Sequence, residues 1–207
     1  EVAASVKKYQ GILNQAITKY EADNGCIGDL SACTAFAGEV DTAGAWNAIK
    51  PYFNVIKDCE TTTGQGCFAK SVMYKNLNGT DRTIIDDQGN ATAKLADGVY
   101  IRVNDSIGNC NLDQSQSGKD PLVHVCGNFL IDINGSKGPN QWGRDTFGWY
   151  ITRQGVFPVG HYDDINHADS AGKPGCDPTN SNTSAPPHEG VGFGCAAKIL
   201  TEGAINY

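Results

Sequence analysis

The densest set of hard oxygen donors is Asp132-Ile-Asn134-Gly135-Ser136-Lys-Gly138-Pro139-Asn140, followed by Asp145. Asp132, Asn134 and Ser136 alternate after an apolar run, and Gly135 is placed to tighten the turn. A cation such as calcium takes roughly six to eight oxygens from carboxylates, amides and carbonyls. Asp132, Asn134, Ser136, Asn140, Asp145 and neighbouring carbonyls would supply that set, so the chemistry expected here is calcium binding. The segment departs from an EF-hand, because its glycine comes early and no glutamate closes the loop. The competing reading is a glycine-rich turn whose Asp and Asn side chains bond their own backbone.

A second cluster is His161-Tyr-Asp163-Asp164-Ile-Asn-His167. A zinc hydrolase needs three protein ligands, an open coordination position and a general base. These residues lie in a polar stretch without the H-E-x-x-H spacing of a helical zinc site, so they read as a solvated loop. Nucleophile motifs are missing. There is no G-x-S-x-G elbow and no phosphate-binding G-x-x-x-x-G-K-[ST], and Gly190-Val-Gly192-Phe-Gly194 lacks the dinucleotide spacing. The sequence therefore reads as a non-enzyme with no catalytic residues.

The elements that must position these groups follow from periodicity. Val2, Val6, Tyr9, Leu13, Ala16 and Tyr20 recur at helical spacing, and Ala3, Ile12 and Ile17 widen the stripe. Residues 1–23 are expected to be one helix, about 35 Å long, ending at Asn24-Gly25. The stripe runs to the first residues without a capping residue, so the helix reads as the second part of a longer one. A second helix is expected over residues 41–57, capped by Asp41 or Thr42 and ended or kinked by Pro51. Residues 58–98 read as loops with strands around 68–74 and 82–85. Further strands are expected at 99–103, at 122–126 with 129–133, and as a hairpin of 147–152 with 155–159 about Arg153-Gln154. A long loop over 160–192 leads to a last helix from Cys195 to Glu202, stopped by Gly203. One long helix followed mainly by antiparallel strands is the α+β class.

Eight cysteines, none in a C-x-x-C pair, point to disulfides and an oxidising compartment. Eight cysteines permit about 105 pairings. Pairing of neighbours is expected, Cys26 with Cys33, Cys59 with Cys67, Cys110 with Cys126 and Cys176 with Cys195, each closing a short turn-rich segment. With 207 residues the chain is the size of one domain, and its 25 glycines imply many turns. A net charge of −7 argues against nucleic acid and anionic membranes, which need a basic face. No apolar run is long enough to span a bilayer. Neither a Met nor a secretory leader stands at the start, so an export segment is expected to have preceded Glu1.

Three stretches carry a family resemblance. The first is Gly11-Ile-Leu-Asn-Gln-Ala-Ile-Thr-Lys-Tyr-Glu-Ala-Asp-Asn-Gly25. The second is Asp132-Ile-Asn-Gly-Ser-Lys-Gly-Pro-Asn-Gln-Trp-Gly-Arg-Asp145 with Phe147-Gly-Trp-Tyr-Ile151. The third is Cys195-Ala-Ala-Lys-Ile-Leu-Thr-Glu-Gly-Ala-Ile-Asn-Tyr207. Together they resemble the type IV pilin and type II secretion pseudopilin superfamily. The resemblance implies a ladle in which residues 1–25 are the exposed half of a long helix. Residues 26–207 would be a globular head whose antiparallel sheet packs on it. It implies an apolar helical segment ahead of this chain, with a glutamate near its start and a short basic leader. It also implies that Cys176–Cys195 staples a variable loop, and it adds support for calcium at Asp132, Asn134 and Asp145.

The function implied is a structural subunit of a bacterial pilus or pseudopilus, at the cell surface or in the periplasm. Its partners would be copies of itself and related subunits, and it would meet the membrane only through the preceding helix. The alternative is a secreted calcium-dependent adhesin outside any filament, with Trp142, Trp149 and Tyr150 at a contact surface or, more in keeping with their type, in the core. A secreted metal hydrolase using His161, Asp163 and His167 is the least favoured reading.

Overall fold

The computed structural model describes residues 1–38, 41–68, 74–83, 89–104, 108–168, 172–181 and 190–207. Helix α1 (Val2–Asp23) buries Val6, Tyr9, Leu13, Ala16, Ile17 and Tyr20, the stripe that the spacing predicts. Val6, Leu13 and Ile17 each contribute roughly 1.5–3 kcal/mol when fully withdrawn from water. Asn24 caps the helix, and Gly25 follows at a positive φ of 69°.

Helix α2 (Thr42–Ile49) starts at Asp41, whose carboxylate accepts from the Gly44 N–H, and continues as a 3-10 turn at Lys50–Tyr52. The expected helix over 41–57 is therefore too long. Proline at 51 lacks the N–H an α-helix would need, and the chain turns into strand β1 (Val55–Asp58) instead. Trp46 Nε1 and Lys50 Nζ both donate to the Asp58 carboxylate, at 3.0 and 2.6 Å, tying α2 to β1.

Strands β2 (Tyr74–Lys75) and β3 (Asp81–Thr83) form a small separate ribbon. Of the two strands expected at 68–74 and 82–85, residues 69–73 and 84–85 lie outside the described residues. β4 (Ala91–Leu95), which the loop reading of 58–98 overlooks, is followed by β5 (Tyr100–Asn104), β6 (Val125–Asp132), β7 (Thr146–Thr152) and β8 (Gly155–Pro158). With β1 they make a six-stranded antiparallel sheet in the order β1-β4-β5-β6-β7-β8. Leu122–His124, expected as strand, is a 3-10 turn. Gly127 does not break β6 but is absorbed by a register shift between Val125 and Gly127. The hairpin about Arg153-Gln154 and helix α3 (Cys195–Glu202), stopped by Gly203 at a φ of 75°, are as expected.

Alternation along the strands sends side chains to two cores. Ile101, Val103, Phe129, Ile131, Phe147, Trp149 and Ile151 pack with α1, α2 and α3. On the opposite face Tyr100, Leu130 and Tyr150 pack with Tyr74 of β2, Leu122 of the 3-10 turn, and Phe68, Trp142, Val159 and Phe193 from loops. The sheet is thus covered on both sides, and every residue of β7 is buried. The polar side of α1 also has a job that periodicity does not reveal. Gln10 Nε2 donates to the Val156 carbonyl and the Val156 N–H donates to Asn14 Oδ1, both at 3.0 Å. Trp149 Nε1 donates to Gln10 Oε1 at 2.8 Å. Two helix amides thereby satisfy the edge strand β8.

All four neighbour disulfides are present: Cys26–Cys33, Cys59–Cys67, Cys110–Cys126 and Cys176–Cys195. They point to an oxidising compartment. No helix among the described residues is long and apolar enough to cross a membrane. Where β8 ends, Gly160 has a φ of 99°, and a Cβ there would collide with the Gly194 carbonyl at the start of α3. Gly160→Ala is expected to cost about 3 kcal/mol or more, lowering the melting temperature by about 10 °C. An unchanged melting curve would show that this close backbone approach is not required.

Candidate functional site

The connection from β6 to β7 carries the donor-rich segment. Antiparallel pairing sets Asp132 opposite Thr146, and the Ile133 N–H donates to the Asp145 carbonyl at 2.9 Å. Two carboxylates distant in the loop are thereby drawn to one end of the sheet. Both are buried, Asp132 at 0% and Asp145 at 2% exposure. Asp132 accepts from the Tyr74 hydroxyl at 2.7 Å and from the Asn134 N–H at 3.2 Å. Asp145 accepts from the Gln141 and Asn140 N–H groups at 2.6 and 2.7 Å, and from Asn134 Nδ2 at 3.3 Å. Gly135 holds a φ of 66° under the Gly98 carbonyl, where a Cβ would clash, and Asn140 takes a left-handed φ of 54°.

The electrostatics follow from this burial. Loss of solvent pushes the Asp132 carboxyl up to about 7, against the pull of the Tyr74 hydrogen bond and with a further push from the Asp145 charge. Burial likewise raises Asp145, partly offset by its backbone donors. The Tyr74 phenol is driven upward by burial and then by the Asp132 charge, so it remains a proton donor. Meanwhile the amide oxygens Asn134 Oδ1 and Asn140 Oδ1 are buried without a hydrogen-bond partner among the described residues. A buried acceptor left unpaired costs roughly 1–3 kcal/mol. Buried carboxylates beside such amide oxygens are oxygen donors of the type that a hard cation takes.

The structure thus brings Asp132, Asn134, Asn140 and Asp145 together. Ser136 is exposed and hydrogen-bonded to none of them, so its side chain lies outside the cluster that alternation predicts. Residues 136–139 all point to solvent, because the turn swings away from the sheet before Asn140 returns. Two supports escaped sequence reasoning. Tyr74 reaches Asp132 across 58 residues, and Gln141 Nε2 anchors the loop on the Asn76 and Leu77 carbonyls at 2.9 Å each. Neither has a local signal, since each contact exists only once the β2–β3 ribbon is folded beside the sheet.

The second cluster is not the solvated loop expected. Asp164 is fully buried, accepting from the Gly160 N–H at 2.7 Å and from the Tyr150 hydroxyl and Asn166 N–H at 2.9 Å each. Its role is to lock the loop over the sheet. His161 and His167 stay exposed, with His167 Nδ1 paired to the Gly160 carbonyl at 2.9 Å. Among the described residues no three His, Cys, Asp or Glu side chains gather around one point. His124, expected in an apolar strand, closes the 3-10 turn ahead of β6. Trp142, Trp149 and Tyr150 are all core residues.

No family model, curated protein or solved structure matches this chain.

Proposed function

We propose that this chain is the globular head of a filament subunit of the type IV pilin or pseudopilin kind. The observation that carries the reading is α1. A 22-residue helix comes first in the chain and lies with one face on an antiparallel sheet. Cys176–Cys195 joins the far loop to α3, which supports the same reading. The role is mechanical. The helix would continue into a bundle with neighbouring copies, and the head would coat the outside. The gene upstream of the Glu1 codon tests this. A short basic leader followed by roughly 20 apolar residues, the length of a membrane-spanning helix, with a glutamate near their start, is expected. An ordinary cleavable signal peptide ending at Glu1 would overturn the filament.

A second reading, a calcium-dependent binding module, is favoured by the Asn134 and Asn140 oxygens, unpaired among the described residues, beside two buried carboxylates. Calcium would be held by Asp132, Asn134, Asn140 and Asp145, and it would supply the positive charge that the two carboxylates lack. The pH dependence follows from Asp132. Its folded pKa, about 7, lies above the unfolded value of 3.8. The folded state therefore holds the proton more tightly, and this contribution is complete below the unfolded value and is lost as pH rises to 7. In EDTA, stability is expected to fall between pH 4 and pH 7, by at most about 4 kcal/mol from this group. Calcium should restore it at pH 7, and Asp132→Asn should flatten the pH profile and remove the calcium effect. A melting temperature at pH 7 indifferent to EDTA and calcium would sink the site.

A further inference from the structure

Between the loop that follows β8 and the face of α3 bearing Lys198 lies a cavity of about 570 Å³. Among the described residues its polar and aromatic lining comes from His161, Tyr162, His167, Lys198, Thr201 and Glu202. Three contacts fix the walls. The Ala197 N–H donates to the Val159 carbonyl at 3.1 Å, Cys176 is bonded to Cys195 at the start of α3, and the Gly175 N–H donates to the His167 carbonyl at 2.8 Å. The loop is pinned in addition by the buried Asp164 carboxylate. Tyr162 nevertheless stands 74% exposed, its ring tilted against His161 with the centroids 4.0 Å apart. The hydrogen-bonding role of each polar group follows from its partner. The Asp163 N–H can only donate, so His161 Nδ1 accepts at 3.4 Å and Nε2 of the neutral ring carries the proton. The Gly160 carbonyl can only accept, so His167 Nδ1 donates at 2.9 Å and Nε2 of the neutral ring keeps a lone pair. The Thr201 hydroxyl donates to the Ala197 carbonyl at 2.9 Å, which leaves its oxygen as an acceptor. The Glu202 carboxylate accepts from Asn206 Nδ2 at 3.0 Å and stands 3.8 Å from Lys198 Nζ. Because the ammonium already has a carboxylate beside it, a ligand need bring no charge of its own.

We infer that this cavity binds a neutral disaccharide. Donors at His161 and Lys198 stand with acceptors at His167, Thr201 and Glu202 around one space. That mixture suits a ligand built of hydroxyls, each of which both donates and accepts. The exposed Tyr162 ring offers a flat, electron-rich face on which the C–H bonds of a sugar ring can pack. Its loop is held in place before any ligand arrives, so little is lost in ordering it. The volume lies within the range of roughly 300–1,000 Å³ of small-ligand sites, which gives room for more than one ring. The site is separate from the filament reading and from the Asp132 cluster, and stands or falls without them.

NMR titration of the oxidised chain with lactose, maltose, cellobiose and diacetylchitobiose tests this. At least one is expected to bind saturably at millimolar concentration and to shift the ring protons of His161, Tyr162 and His167. Tyr162→Ala should weaken that sugar at least about tenfold, and Glu202→Gln severalfold. Both side chains are exposed, so neither change should move the melting temperature by more than about 2 °C. Should Tyr162→Ala fail to fold, Glu202→Gln decides. Saturation by none of the four sugars, shifts confined to other residues, or full affinity in both variants would each overturn the assignment. Tighter binding of decaproline at the same ring protons would also overturn it, giving the cavity to an extended peptide.

Discussion

Reduction and alkylation of all eight cysteines are expected to abolish cooperative folding at 25 °C. The four bridges span 7, 8, 16 and 19 residues. On the chain-entropy model each contributes roughly 2–3 kcal/mol, on the order of 10 kcal/mol together. That equals the whole stability of an ordinary domain, about 5–15 kcal/mol. Packing compounds the loss, because all eight cysteines are buried and their sulfurs fill core space. Circular dichroism of the reduced, alkylated chain should show no sharp melting transition. A transition within a few degrees of the oxidised protein would mean that the two cores suffice alone.

Leu13→Asp is expected to have the largest effect of any single substitution considered. Leu13 has no exposed surface and sits in the stripe between Tyr9 and Ile17. The change removes an apolar side chain and puts a carboxylate where no partner waits. A loss of about 5 kcal/mol, or 10–20 °C in melting temperature, should result. Lys7→Asp is the control, since Lys7 is exposed on the same helix and should change stability by less than about 0.5 kcal/mol. Equal effects of the two variants would refute the packing of α1 described above.

Much of this architecture is legible before folding. The α1 stripe is a strong period, the β7–β8 hairpin announces itself by two apolar runs with a short polar break, and the α3 stop is a glycine. Neighbour pairing of cysteines succeeds because the partners lie only 7 to 19 residues apart along the chain. β4 is not legible for a physical reason. Ala91-Thr-Ala-Lys-Leu95 has weak strand propensity, and its small side chains are selected by what lies above them: Ala91 and Ala93 are buried in the same core as α2. Of the candidate metal cluster, the local sequence reveals Asp132, Asn134, Asn140 and Asp145. It misplaces Ser136, because alternation assumes that an extended strand continues through what is a turn. Tyr74 and Gln141 belong to the β2–β3 ribbon contact and are visible only in three dimensions.

The docking of α1 sets a timetable. Its first residues are made first, yet its amides bond Val156, which lies 146 residues after Gln10. At about 5–20 residues per second, a ribosome needs roughly 7–30 seconds to supply that partner. Throughout this interval the helix has only the segment just after it, with Phe36 and Tyr52 against Tyr20, to rest on, and not the sheet. Its apolar stripe must be held by another surface, a chaperone or a lipid interface, or stay open to collision with other nascent chains. The helix is thus made long before the sheet that covers it.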